Sequence, residues 1–154
     1  MFTLLLPTAD IFIGAVNQKE TMHVLIVQSN AHLGRLWSRH LERLGADVVL
    51  ALTGDEAVEL LGEQGFDAIV LDLVLKEGSA LTVADVAYFR QPDANVIFVT
   101  DTTFFSDGSI FSHSANARAF VEKATPPADL AAIVQHYGRH ISRGHEVTQS
   151  PALG

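Results

Sequence analysis

The apolar run Val24-Leu25-Ile26-Val27 is followed by a polar turn, Gln28-Ser29-Asn30, and then by Leu33, Leu36, Trp37, Leu41 and Leu44 at helical spacing. A short apolar run bounded by a turn reads as a buried strand. Recurrence every three or four residues reads as one face of a helix. Asn30 is placed to cap that helix and Gly45 to end it. The alternation then repeats. Ala46–Leu52 predicts a second strand. Thr53-Gly54-Asp55-Glu56 has the Thr-x-x-Glu form that opens a helix, with Ala57, Val58, Leu60 and Leu61 on its apolar side and Gly62 or Gly65 at its end. Within Phe66–Leu75, the stretch Ala68-Ile69-Val70-Leu71 is apolar throughout, as in a parallel strand covered on both faces. A helix around Leu81–Arg90, a fourth strand at Asn95–Thr100 and a fifth at Arg118–Glu122 continue the series. Pro126 and Pro127 suit the first turn of a last helix, whose inner face is Leu130, Ile133, Val134 and Tyr137.

Strands alternating with helices predict an α/β domain, a parallel sheet joined by right-handed crossovers. Sites in such folds lie at the carboxyl ends of the strands. Three ends carry chemistry: Asp72 after the third strand, Thr100-Asp101 after the fourth and Lys123 after the fifth. All three ends open on one side of the sheet. A carboxylate, a hydroxyl and an ammonium there can cradle a phosphoryl group. The carboxylate would be the nucleophile, and the other two would hold the phosphoryl oxygens. The same residues also have a purely structural reading. Asp72 and Lys123 make an ion pair, which is weak evidence for stability in itself. Thr100 is a residue strands favour, and Phe120 is a core or half-core aromatic.

Composition narrows the picture. The 154-residue chain is 48% hydrophobic, enough for one well-packed domain. A formal net charge of −8, from 18 acidic and 10 basic residues, argues against a general nucleic-acid binder. There are no cysteines, which excludes disulfides, thiolate metal sites and cysteine nucleophiles. The N-terminal stretch MFTLLLPTADIFIGAV lacks a basic leader, is broken by Pro7, Asp10 and Gly14, and falls short of the ~20 apolar residues of a membrane span. It reads as neither signal peptide nor anchor, so the expected location is cytoplasmic. The expected layout is an extension at 1–22, a domain at 23–138 and a flexible polar tail at 139–154. Met22 stands one residue before the domain, as a second candidate start. Leu4-Leu5-Leu6 and Ile11-Phe12-Ile13 are apolar enough to pack on the domain or on a second copy of the chain.

Among the seven histidines, His136 and His140 are four apart but have no third ligand at a persuasive spacing. His32, His40 and His113 read as surface residues. No Gly-x-Gly-x-x-Gly follows the first strand and no Gly-x-Ser-x-Gly occurs, so nucleotide-binding and hydrolase readings are weak.

With strand order and residues in place, the region His23–Gly138 resembles a bacterial response-regulator receiver domain. VLDLVLKEGSAL is similar to the family's stretch around its phospho-accepting aspartate, VIFVT ends in the matching switch hydroxyl, and AFVEKATP holds the matching lysine. The resemblance implies the CheY-like (flavodoxin-like) fold, a three-layer α/β/α sandwich with a five-stranded parallel sheet in the order 2-1-3-4-5. It implies that Asp72 is the phospho-acceptor, that Thr100 and Lys123 contact the phosphate, and that Phe120 is the switch aromatic. Three departures stand out. Gln28 and Ser29 occupy the positions where the family carries an acidic pair that holds Mg2+. Lys76 stands where a proline is usual, four residues after the acceptor. The proline that usually follows the lysine is displaced to Pro126.

These departures carry a physical expectation. Mg2+ demands near-octahedral oxygen ligands and dehydrates reluctantly. With Gln28 and Ser29 offering only neutral oxygens, Asp72 is balanced by Lys123, and little pull on a divalent ion is left. Phosphoryl transfer depends on charge neutralisation by the metal. The expectation is a degenerate, non-enzymatic receiver with no required cofactor, weak Mg2+ binding at most, and weak or no phosphorylation. It would act as an interaction module for a histidine kinase or another signalling protein, with a second copy as a further partner and neither nucleic acid nor membrane. The tail is too short and polar for a DNA-binding unit. Two alternatives remain. One is a working phospho-receiver whose metal site uses Asp72 and Asp101, with Glu77 a weaker substitute for the latter. The other is a flavodoxin-like protein that binds a small molecule. Finally, the stretch Asp101–Ala117 is rich in Ser, Thr, Gly and Asn, which disfavour helix interiors. It predicts a short or irregular element whose Phe104, Phe105 and Phe111 cover a core edge or form an interaction patch.

Overall fold

The computed structural model describes residues 21–101 and 117–138. Five parallel strands, β1 (His23–Val27), β2 (Asp47–Ala51), β3 (Ala68–Asp72), β4 (Asn95–Thr100) and β5 (Ala117–Glu122), form one sheet. Their spatial order is β2-β1-β3-β4-β5, as the resemblance implied. The helices are α1 (Ala31–Arg43), α2 (Gly54–Glu63) and α3 (Ala80–Arg90), and residues 127–138 form a terminal helix.

The period-2 alternation of strand side chains divides the core into two layers. Leu25, Val27, Ile69, Leu71, Val96 and Phe98 point to the layer of α2 and α3, where Ala57, Leu61, Val83, Ala84 and Ala87 cover them. Val24, Ile26, Ala68, Val70, Ile97 and Val99 point the other way, beneath Trp37 and Leu41 of α1 and Leu130, Ala131 and Val134 of the terminal helix. β3 and β4 are buried along their whole length, which explains their unbroken apolar runs. The sandwich ends in edge strands, and β2 is only partly covered.

Local signals explain most boundaries. Asn30 Oδ1 accepts from the Leu33 N–H and caps α1. Gly45, at φ +94°, ends it in the left-handed region that glycine tolerates. Thr53 Oγ1 accepts from the Glu56 N–H, while Glu56 Oε1 reaches back to the Leu52 N–H, one residue before the cap.

Two details correct the sequence reading. The buried stripe of α1 is Gly34, Trp37 and Leu41, whereas Leu36 and Leu44 are 37% and 42% exposed. Gly34 lets Leu50 of the sheet sit where a side chain would stand, since a Cβ there would lie 2.6 Å from Leu50 Cδ1. The contact is thereby centred on a narrower stripe. Secondly, α2 ends neither at Gly62 nor at Gly65 but at Glu63. Gln91, at the end of α3, is the reason. Its Nε2 donates to the carbonyls of Leu61 and Gln64, and its Oε1 accepts from the Phe66 N–H.

The segment 1–20, Phe104, Phe105, Phe111, His113, His140 and the stretch 139–154 lie outside the described residues, and so do the expectations attached to them. His32 and His136 are exposed and His40 is partly exposed.

Candidate functional site

Asp72 is the last residue of β3, so its side chain leaves the sheet at the carboxyl edge. It is 1% exposed. Such a carboxylate must find donors inside the protein. It has three. Oδ2 accepts from Lys123 Nζ at 2.9 Å and from Gln28 Nε2 at 2.8 Å, and Oδ1 accepts from the Val74 N–H at 3.0 Å. Lys123 follows β5, and its N–H donates to the Thr100 carbonyl at 2.7 Å. This backbone bond ties the ends of β4 and β5 together and aims the ammonium inward. Its side chain remains 29% exposed, so the ammonium spans the wall between pocket and solvent. Thr100 is buried at the end of β4, opposite Glu122 in the register. Asp72 and Lys123 thus meet at the carboxyl edge of the sheet, and the Thr100 carbonyl is tied to Lys123 beside them.

Gln28 holds a position that sequence reasoning misread. It is 2% exposed and follows β1, with its N–H on the Ala51 carbonyl. Its amide presents nitrogen, not oxygen, to the pocket, because Oε1 already accepts from the Asn30 N–H at 2.9 Å. An amide has a donor end and an acceptor end. The buried carboxylate takes the first and the turn takes the second. The expected neutral oxygen is therefore a donor to Asp72. Ser29 is partly exposed, and its Oγ accepts from the Lys76 N–H at 2.9 Å.

Asp101 is exposed at the bend after β4, and Glu77 is exposed on the loop after β3, where its carbonyl accepts from the Gly54 N–H. Among the described residues, no group of three or more His, Asp or Glu is arranged to hold a metal ion. Phe120 is half-buried and stacks on Phe98, its neighbour in the register, with ring centroids 5.2 Å apart and planes at 18°. The Lys123–Ala124 bond, where the displaced proline would stand, is trans.

Fold and site together define a class: a doubly wound parallel α/β domain with a buried carboxylate–lysine pair at its strand ends. Comparison with known proteins places the chain within that class. Residues 24–135 match the family model of the response regulator receiver domain. The chain belongs to this family, whose members are the receiving modules of two-component signalling. It is 32% identical over 75 residues to the luminescence regulatory protein LuxO of Vibrio campbellii, an alignment covering 49% of this chain and 17% of LuxO. The chain thus matches less than a fifth of the length of that relative. Among solved structures, a CheY-like receiver domain protein from Methanospirillum hungatei superposes with a TM-score of 0.73 at 22% identity, over 80% of this chain and 98% of that one. The response regulator TrrA from Thermotoga maritima, in complex with Mg(2+)-BeF, superposes with a TM-score of 0.67 at 20% identity, over 76% of this chain and 99% of that one. Likeness at these identities speaks to the fold. Among the described residues no helix is long and apolar enough to cross a membrane.

Proposed function

We propose that this receiver domain is a protein-interaction module of two-component signalling in which Asp72 takes little or no Mg2+-dependent phosphoryl transfer. The observation that carries this reading is the set of protein donors around Asp72. Its carboxylate accepts from Lys123, Gln28 and Val74 inside the pocket. One negative charge meets one positive charge, and a neutral amide supplies a further donor. A hard divalent ion needs several oxygens facing it. Here Gln28 turns its NH2 group inward, and the Ser29 oxygen is occupied by a backbone N–H. These residues do not suit Mg2+. TrrA, which carries Mg(2+)-BeF in its structure, shares the fold with this chain at 20% identity. Without an ion to spread the charge of the transferring phosphoryl, the positioned Asp72–Lys123 pair has no route to a fast reaction.

In this reading the domain has no catalytic turnover. Its partner is a histidine kinase or another signalling protein of the same pathway, recognised by shape and charge, in the cytoplasm. A second copy of the chain is a further partner. The net charge of −8 disfavours a nucleic-acid role.

The test is incubation with Mg2+ and a small phosphodonor such as acetyl phosphate, read by intact-protein mass spectrometry, with Mg2+ affinity measured by calorimetry. The expected outcome is unmodified protein and no saturable Mg2+ binding at millimolar concentration. Stoichiometric phosphate on Asp72 overturns the proposal. If Mg2+ then binds, and Asp101→Ala abolishes that binding, the metal site is rebuilt on Asp101.

A further inference from the structure

Two of the positions at which this chain departs from the receiver pattern meet in space. Ser29 lies on the turn between β1 and α1. Lys76 lies on the loop between β3 and α3, 47 residues further along the chain. The main-chain N–H of Lys76 donates to Ser29 Oγ at 2.9 Å. A proline at 76 has no N–H to give, and an apolar residue at 29 has no oxygen to receive one. The bond therefore depends on the backbone amide at one position and the hydroxyl at the other.

The rest of the loop is tied down on both sides of this bond. The Val74 N–H holds Asp72 Oδ1 at 3.0 Å. The Leu73 N–H donates to the Val99 carbonyl, and the Glu77 carbonyl accepts from the Gly54 N–H at 3.0 Å. Gly78 takes φ +93° and passes so close to the start of α2 that a Cβ on it would lie 3.0 Å from Gly54 Cα. Gln28 links the β1 side to Asp72 itself. The loop after the acceptor thus has anchors on β1–α1, on β4 and on α2.

We propose that Ser29 and the Lys76 amide act as a positioning pair: they bind the β1–α1 turn to the β3–α3 loop by a hydrogen bond, and hold the mouth of the Asp72 pocket in one conformation independently of any divalent ion. This rests on the reading of the pocket as one that does not recruit Mg2+, but it concerns the loops and not the chemistry of Asp72. The surface presented to a partner around residues 74–78, where Val74 is 64% exposed, is then preset and not switched by the cation.

The experiment is amide hydrogen exchange on the full chain, in EDTA and in Mg2+, without phosphodonor. The Lys76 amide is expected to be protected equally in both conditions. Ser29→Ala should accelerate its exchange on the order of tenfold, the factor an ordinary hydrogen bond supports. Ser29→Thr keeps the hydroxyl and should restore protection, and Lys76→Ala keeps the amide and should leave it protected. In denaturant titrations, Ser29→Ala and Lys76→Pro should not add, because each removes the same bond. Unchanged Lys76 exchange in Ser29→Ala, additive losses, or protection that appears only with Mg2+ would each overturn the pair. Phosphorylation of Asp72 alongside a protected Lys76 amide would overturn the proposed function and leave the pair standing.

Discussion

At the residue scale, Asp72 decides most. A carboxylate at 1% exposure depends on its donors, and one of them carries the compensating charge. Lys123→Met leaves that carboxylate buried beside two neutral donors, and the expected loss is about 3–5 kcal/mol, the cost of breaking a buried pair from one side. Adding Asp72→Asn to it should recover more than half, since no charge is then stranded. Urea titration measures both, and a single variant as stable as the wild type would remove the pair from any account of stability. Gln28→Glu tests the other side of the pocket. It sets a second carboxylate against Asp72, and two neighbouring like charges oppose ionisation of both. Melting in EDTA should fall below that of the wild type and recover when Mg2+ is added, whereas the wild type should melt at the same temperature with and without the ion. A wild-type melting point that rises with Mg2+ would contradict this.

At the scale of elements, helix starts are held by local caps and one helix end by a distant side chain. α1 and α2 begin with local caps that were legible as Asn30 and as Thr53 with Glu56. α2 ends beside Gln91, whose Nε2 donates to the Gln64 carbonyl 27 residues earlier in the chain. Gln91→Ala removes three hydrogen bonds at once, two of them part-buried and one exposed, so a loss of about 2–3 kcal/mol is expected in equilibrium unfolding. A loss no larger than a surface substitution would show that water replaces the side chain. Gly45 and Gly78 share a positive φ, +94° and +93°, but not their surroundings. A Cβ on Gly45 meets nothing within 4 Å, while one on Gly78 meets the backbone of Gly54 at 3.0 Å. Gly45→Ala should cost about 1–2 kcal/mol, the strain of the left-handed region. Gly78→Ala should cost more, because backbone must also move. Equal losses would mean that the approach of the loop to α2 is not tight.

For the molecule as a whole, the sheet separates two cores. Leu61 belongs to the layer of α2 and α3, and Leu41 to the layer of α1 and the terminal helix. Leu61→Ala and Leu41→Ala should each cost about 2–5 kcal/mol, and the double variant should match the sum within about 0.5 kcal/mol, as for sites that share no partners. A marked shortfall or excess would show the layers to be coupled through the sheet. Much of this architecture was readable from the chain alone. Runs such as Ala68–Leu71 and the helical recurrence of Trp37 and Leu41 are local patterns, and hydrophobic burial enforces them wherever they occur. They determined five strands, the helices α1 to α3 and the placing of Asp72, Thr100 and Lys123 at strand ends. What those patterns could not express was decided by partners distant in sequence. Gln28 turns its nitrogen inward because Asp72, 44 residues away, needs a donor while the turn takes its oxygen. Ser29 is engaged by an amide 47 residues away, and α2 stops where Gln91 reaches it. A side chain with two chemical ends has no preferred end until the fold brings its neighbours, so the direction of these hydrogen bonds belongs to the tertiary structure.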